Sequence, residues 1–326
     1  MFDYELPPDK IARYPAQPPD SCKLLIYNKN TKQIIDERFF NLPQYIDSNC
    51  VLVFNNTKVQ PVRIEYSFEN GEKGDFLIYK IVNEKEVNIL TKLRGKNFPV
   101  VLYVNGKKLG SIVGRSEFGF KLILEEKVWY IIEQYGTMPI PPYLKRQARQ
   151  EDKKWYQPVF ARQGFSIACP TASLHFTEDL VKKLRGKGIE MFFLRLDVYF
   201  STIFEEERLP PDLAGEYYEI GESDFKALLE RKKEGKKIIA VGTTVCKALE
   251  TVAITGEFLG ISRLYIKAPF EFKITDAIIT NFHRGKSPTL DLLCAFAGMK
   301  ELKELYEYAL VYDYKFLSYG DAMFIF

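Results

Sequence analysis

Histidine is almost missing from this chain of 326 residues, and cysteine is sparse: there are two histidines and five cysteines. Cys22, Cys50, Cys169, Cys246 and Cys294 are scattered and form no CxxC pair. That spacing gives neither a zinc framework nor a disulfide framework, so no metal is expected and a reducing cytoplasm is the expected setting. No uninterrupted apolar run of about 18 residues is present, which excludes a membrane-spanning helix from the expectations. No basic segment followed by an apolar run opens the sequence, so a secretion signal is not expected either. Charge of one sign is also in short supply, with 46 Lys and Arg against 43 Asp and Glu, a net charge of +3. This balance does not by itself establish a nucleic-acid partner. The basic clusters at 92–96, 145–149 and 231–237 can contact phosphate or can be ordinary solvated faces. What the chain has in quantity is apolar side chain, 46% of all residues, enough for one or two well-buried cores in a globular protein.

Internal repeats and low-complexity linkers are absent, and the pattern changes character along the chain. Short strand patterns cover 23–27 and 33–40, and a buried-looking strand covers 51–54. From 63 to about 133, short Val, Ile, Leu, Tyr and Phe segments alternate with turns. Asn70-Gly71 and Asn105-Gly106 are strong hairpin signals, and the region reads as a small β-barrel. Beyond the prolines at 139–142, helices and strands alternate. Thr177 can cap a helix over 178–185 that Gly188 ends, and 190–198 returns as an apolar strand. Further helices are expected over 223–233, 244–253, 289–297 and 301–311, with strands over 237–241 and 273–280. The fold expectation is α/β with an inserted antiparallel β-barrel domain: 1–62 and 138–326 form a discontinuous α/β domain and 63–137 the barrel, with the active cleft between them.

Several residues have side chains suited to chemistry. A strand ending at Val241 and followed by Gly242, Thr243 and Thr244 brings a turn to the start of a helix, where backbone N–H groups and the positive helix end can hold a carboxylate or phosphate. Thr at a helix start is also an ordinary cap. His175 and His283 can move protons near neutral pH, or can simply satisfy buried backbone groups. Asn281 offers a paired donor and acceptor fit for an adenine edge or a ribose, while Lys286 and Ser287 can contact phosphate or cap a turn. Asn55, Asn56 and Thr57 place three polar side chains at the junction before the barrel, as ligand contacts or as Asx-type turns. Arg63 can bind an anion or sit in a surface ion pair, and Asp321 can accept from a ribose hydroxyl or cap a turn. Tyr319 can stack on a base or pack in a core. Cys169 and His175 raise the option of a thiol hydrolase, whereas Ser166 lies outside any GxSxG motif.

The blocks VFNNTKVQPVRI (53–64), GTMPIPPYL (136–144), ACPTASLHF (168–176), AVGTTVCKA (240–248), DAIITNFH (276–283) and SYGDAMFI (318–325) resemble, in content and order, those of the S-adenosylmethionine:tRNA ribosyltransferase-isomerases of queuosine biosynthesis. The resemblance covers almost the whole chain. It implies that S-adenosylmethionine serves as ribosyl donor and co-substrate, and that tRNA carrying 7-aminomethyl-7-deazaguanine is the acceptor. Adenine and methionine leave, and the sugar becomes the epoxycyclopentane of epoxyqueuosine. The sulfonium acidifies the adjacent C–H, so a general base can start elimination of adenine; amine addition and alkoxide closure then expel methionine. No metal is needed for this chemistry. On this resemblance His175, Glu216 and His283 are the expected catalytic residues. The expected substrate contacts are Asn55, Asn56, Thr57, Arg63, Thr171, Gly242, Thr243, Thr244, Asn281, Lys286, Ser287, Tyr319 and Asp321.

Two segments depart from the family pattern. Where LHVGxGTF is typical the chain reads LDVYFSTIF, with Asp197 in place of His and with Tyr199 and Ser201 in place of two glycines. Where HxMHSE is typical it reads PDLAGE, with Asp212, Ala214 and Gly215 at the changed sites and Glu216 retained. Val245 and Lys247 stand where Ser and Arg are usual, and NFHRGKSP replaces NFHLPKST. Two alternatives follow: a relative that uses the same donor with another acceptor, and one that binds adenosyl ligand or RNA without completing the reaction.

Overall fold

The computed structural model describes residues 2–93, 97–199 and 215–326. Ser201, Asp212 and Ala214, and the end of the 92–96 basic cluster, lie outside the described residues. In chain order, β1 (Lys23–Tyr27), β2 (Ile34–Arg38), β3 (Cys50–Asn55) and β4 (Thr57–Val59) come first. They are followed by β5 (Arg63–Ser67), β6 (Lys73–Ile81), β7 (Glu86–Thr91), β8 (Val100–Val104), β9 (Lys107–Arg115) and β10 (Phe120–Leu124). Next come α1 (Val128–Tyr135), α2 (Asp152–Trp155), β11 (Gln163–Ser166), α3 (Glu178–Gly186), β12 (Glu190–Leu196), β13 (Glu216–Glu219) and α4 (Glu222–Lys233). The last are β14 (Lys237–Val241), α5 (Thr243–Thr255), β15 (Leu259–Ser262), β16 (Ala277–Asn281), α6 (Pro288–Ala297), α7 (Met299–Val311) and β17 (Ala322–Ile325).

The chain divides into two compact units, one of residues 1–59, 141–146 and 155–326 and one of 60–140 and 147–154. In the larger unit, the described residues form a nine-stranded sheet in the order β15-β13-β12-β3-β14-β16-β17-β1-β2. Its centre is parallel: β3 pairs with β12 on one side and β14 on the other, and β14 pairs with β16. These strands read as near-continuous apolar runs because both faces are covered. Leu52, Phe54 and Ile239 point into a core with Phe39 and with Leu180 and Leu184 of α3. Their neighbours Val51, Val53, Ile238 and Ala240 point the other way, into a core with Leu228 of α4 and Leu249 of α5. The result is three layers, helix, sheet and helix. The connection between β3 and β12 carries α3 on one face, and the connection from β14 to β16 carries α5 on the other. In such sheets the crevice for a ligand opens at the C-terminal strand ends where connections part to opposite faces. Here that point lies between β3 and β14.

The smaller unit contains a closed barrel of six described strands, in the order β10-β7-β6-β5-β8-β9, every pair antiparallel. Alternate residues such as Ile64, Phe76, Ile89, Leu102, Ile112 and Leu122 are fully buried. The hairpin residues behave as their turn chemistry demands. Asn105 and Gly106 both take positive φ, 50° and 74°, the requirement of a two-residue type I′ turn. Closure leaves the barrel without an open edge.

Several element ends shift by a residue or two from the sequence expectation, and two shifts have a visible cause. The strand expected over 33–40 ends at Arg38, because Phe39–Gln44 winds into a 3-10 turn that buries Phe39 and Leu42. The strand expected over 273–280 starts only at Ala277. The N–H groups of Lys273, Ile274 and Thr275 instead donate to the buried Glu250 carboxylate on α5.

Candidate active site

At the C-terminal end of β14 the backbone turns through Gly242, with φ 102° and ψ 149°, a conformation that strains any residue with a side chain. Its N–H donates to Ile279 O on β16 at 2.8 Å, which seats the turn against the neighbouring strand. Gly242 is the N-cap of α5, a helix of 13 residues, and no side chain caps it. Thr243 and Thr244 are therefore the first residues inside the helix and not its caps. The first N–H groups of a helix have no partner within it, and the macrodipole adds partial positive charge there.

Beside this turn runs the 3-10 segment Thr171–His175. His175 is 4% exposed, and both its ring nitrogens are engaged: Nδ1 lies 3.2 Å from Cys22 Sγ and Nε2 lies 3.1 Å from Asn281 Nδ2. An amide nitrogen can only donate, so Nε2 accepts and the ring proton sits on Nδ1, directed at the sulfur. Burial lowers the imidazole to about 4, with the Asn281 contact opposing, so His175 is neutral at physiological pH. The thiol against His175 is thus Cys22, not Cys169. Burial pushes both thiols well above their usual range, and the hydrolase reading loses its nucleophile.

A second buried cluster lies at the ends of β3 and β12. Asn55 ties the two strands together, its Nδ2 donating to Leu196 O at 2.8 Å while Oδ1 accepts from Leu196 N and Thr57 N at 3.1 Å each. Asp197, 1% exposed, receives Thr57 Oγ1 at 2.6 Å and pairs with the Arg195 guanidinium at 2.5 Å. Since the single Thr57 hydrogen goes to the carboxylate, Ser166 Oγ, 2.9 Å from Thr57 Oγ1, must donate to that oxygen; it accepts in turn from Val198 N. Gly164, with φ 108°, makes room: a Cβ there would lie 2.5 Å from both Asp197 Oδ1 and Thr57 Oγ1. Tyr199 is lifted to about 12, first by burial and then by the Asp197 charge.

The comparisons with known proteins identify the family. The model of a family described as queuosine biosynthesis protein matches residues 1–325. An S-adenosylmethionine:tRNA ribosyltransferase-isomerase from Aquifex aeolicus is 39% identical over 336 residues, covering 99% of this chain and 98% of the relative. One from a Sulfurihydrogenibium species is 37% identical over 330 residues, covering 99% and 98%. The crystal structure of an S-adenosylmethionine tRNA ribosyltransferase from Thermotoga maritima superposes with a TM-score of 0.59 at 29% identity, covering 100% of this chain and 99% of that one. The chain belongs to the S-adenosylmethionine:tRNA ribosyltransferase-isomerase family.

The structure gathers part of the expected residue set of this ribosyltransferase-isomerase family at one sheet edge and ties others into internal contacts. Asn55, Thr57, Thr171, His175, Gly242, Thr243, Thr244 and Asn281 all lie at the C-terminal ends of the central strands or on the adjoining Thr171–His175 turn. Asn56 also lies there, its backbone bonded to Leu194 O and Arg162 N and its buried Oδ1 without a partner. Glu216 starts β13 beside the end of β12 and pairs with Lys247 of α5 at 3.0 Å. His283, half-buried, has its Nε2 2.9 Å from Thr280 Oγ1, and burial lowers its imidazole to about 4. Four expected contacts are occupied elsewhere. Arg63 pairs with Asp75 on the adjacent barrel strand, and Lys286 with Asp3 at 2.9 Å. Ser287 caps α6, accepting from Leu290 N, and Asp321 accepts from Lys23 N and Lys315 N at 2.6 Å each. Tyr319 is buried edge-on against Tyr156. Sequence reasoning missed Cys22, Ser173, Gly164 and Arg195. Only Gly164 carried a signal, an isolated glycine inside the short QGFS strand, which marks a close backbone approach. Among the described residues no group of three or more His, Cys, Asp or Glu is placed to hold a metal ion, and no helix is long and apolar enough to cross a membrane.

Proposed function

We propose that this protein transfers the ribosyl part of S-adenosylmethionine to the aminomethyl group of 7-aminomethyl-7-deazaguanine in tRNA, isomerising the sugar to the epoxycyclopentane of epoxyqueuosine, in the cytoplasm. The observation that carries the reading is the family match over residues 1–325. In this reading residues 242–244 and the start of α5 bind the donor. A base removes a proton from the carbon next to the sulfonium, and the electron pair leaves with adenine. The acceptor amine then adds, and closure by the sugar alkoxide releases the sulfur as methionine. In this reading Glu216, paired with Lys247, is the base that takes that proton. His175 is a neutral positioning residue that holds Asn281, because its Nε2 already accepts a hydrogen bond. His283, also neutral, orients Thr280.

The test is incubation with labelled S-adenosylmethionine, with and without tRNA containing the aminomethyl-deazaguanine base, followed by mass spectrometry. Release of adenine and methionine together with modified tRNA is expected. The saturated Asp197 cluster, which stands where the family pattern has His, favours a second reading in which the donor is kept and the acceptor differs. Release only with another acceptor supports that reading, and binding without release supports a non-catalytic relative.

A further inference from the structure

Three buried side-chain oxygens around the ends of β14 and β16 meet no hydrogen-bond partner: Asn281 Oδ1, Ser173 Oγ and Thr244 Oγ1. An unmet buried polar atom is costly, so native proteins rarely keep one without a reason. Asn281, 2% exposed, is the most sharply defined. Its Nδ2 uses both hydrogens, one toward His175 Nε2 and one to Leu317 O, each at 3.1 Å. The Leu317 carbonyl can only accept, so the amide cannot be turned over and Oδ1 is left purely as an acceptor. Whatever meets it must donate.

The surroundings supply the opposite half. The β14–β16 pairing ends at Val241 and Ile279, and Gly242 N bonds Ile279 O, so α5 starts from the strand end next to the one that carries Asn281. A Cβ on Gly242 would lie 3.5 Å from Thr244 Oγ1 and 3.7 Å from Ala172. Ser173, fully buried, follows Ala172, and His175 closes the turn back onto Asn281. The acceptor oxygens and the uncapped first turn of α5, whose N–H groups can only donate, thus lie on neighbouring elements at the same end of the sheet.

From this juxtaposition we infer that the site holds the zwitterionic α-amino acid group of a ligand. Its carboxylate sits on the N–H groups of Thr243 and Thr244, and its ammonium on Asn281 Oδ1 with the Ser173 and Thr244 hydroxyl oxygens. This rests on the proposed use of S-adenosylmethionine, whose methionine end is such a group. An exocyclic amine of adenine would satisfy Asn281 but would bring no negative charge to the helix start, so the amino acid end fits better.

Calorimetric binding of two ligands tests the placement: S-adenosylmethionine, and 5′-methylthioadenosine, which has the same nucleoside and sulfur but no amino acid portion. Ser173→Ala and Thr244→Val remove hydroxyls that bond nothing inside the protein, so their melting temperatures should equal or exceed that of the wild type. Each should weaken S-adenosylmethionine by about tenfold and leave 5′-methylthioadenosine unchanged, the fold-change expected for one lost hydrogen bond to a charged group. Asn281→Leu should act in the same direction and more strongly. Wild-type affinity for S-adenosylmethionine in Ser173→Ala and Thr244→Val means that the oxygens serve only a buried water, and overturns the inference while the donor reading stands. Equal weakening of both ligands also overturns it. Wild-type protein that binds neither ligand removes the donor reading and this inference together.

Discussion

His175 illustrates how a single side chain sets a pH limit. Its imidazole drops from 6.5 to about 4 on folding because burial disfavours the charged form. Above pH 6.5 the ring is neutral in the folded and unfolded chain alike, and the associated stability is fully present. As pH falls, the unfolded chain takes up the proton first, and stability is lost between 6.5 and about 4, on the order of 3 kcal/mol for this residue. His283, half-buried as a residue and lowered likewise to about 4, adds a smaller loss in the same window. Urea unfolding at pH 7, 5.5 and 4.5 should show this decline, and His175→Phe, which cannot titrate, should flatten it. Gly164 makes the complementary case for space. Gly164→Ala puts a methyl 2.5 Å from Asp197 Oδ1 and Thr57 Oγ1 at a φ of 108°, and should cost about 3 kcal/mol of unfolding free energy in the same assay. Both histidines were legible in the sequence as candidates. Their partners were not: Cys22, His175 and Asn281 are brought together only by the sheet order, which no local pattern encodes.

At the scale of elements, what was legible followed from local chemistry. Thr177 Oγ1 accepts from Leu180 N and caps α3, and the Asn105-Gly106 pair turns the β8–β9 hairpin, each fixed by residues within four positions. The start of β16 was not legible, because it depends on a side chain from another element. Glu250 Oε1 accepts from Ile274 N and Thr275 N, and Oε2 accepts from Lys273 N. Their strand-like sequence is thereby withdrawn from the ladder. Glu250→Gln turns one of these acceptors into a donor facing an N–H. The expected cost is about 2 kcal/mol, seen as a lower denaturation midpoint and faster hydrogen exchange at the Lys273 amide.

At the scale of the molecule, the alternation of helices and strands announced an α/β class, and the density of hairpin signals announced a barrel. The nine-strand order was hidden, since neighbours such as β3 and β12 lie more than a hundred residues apart. Residues 147–154 also fall with the barrel unit, although they follow the proline-rich segment that reads as its end. The most distant pairing in the sheet is that of β1 with β17, Leu24 opposite Ala322 and Tyr27 opposite Ile325, and β17 also pairs with β16. A ribosome emits the chain in one direction, so β1 waits for its interior neighbour through nearly 300 residues of synthesis, about 15–60 s at bacterial to eukaryotic rates. The barrel strands, all made between residues 63 and 124, face no such delay. Nascent chains stalled after residue 300 should therefore resist limited proteolysis within 63–124 while 23–38 is still cut, and protection of β1 and β2 should appear only once residue 325 has cleared the exit tunnel.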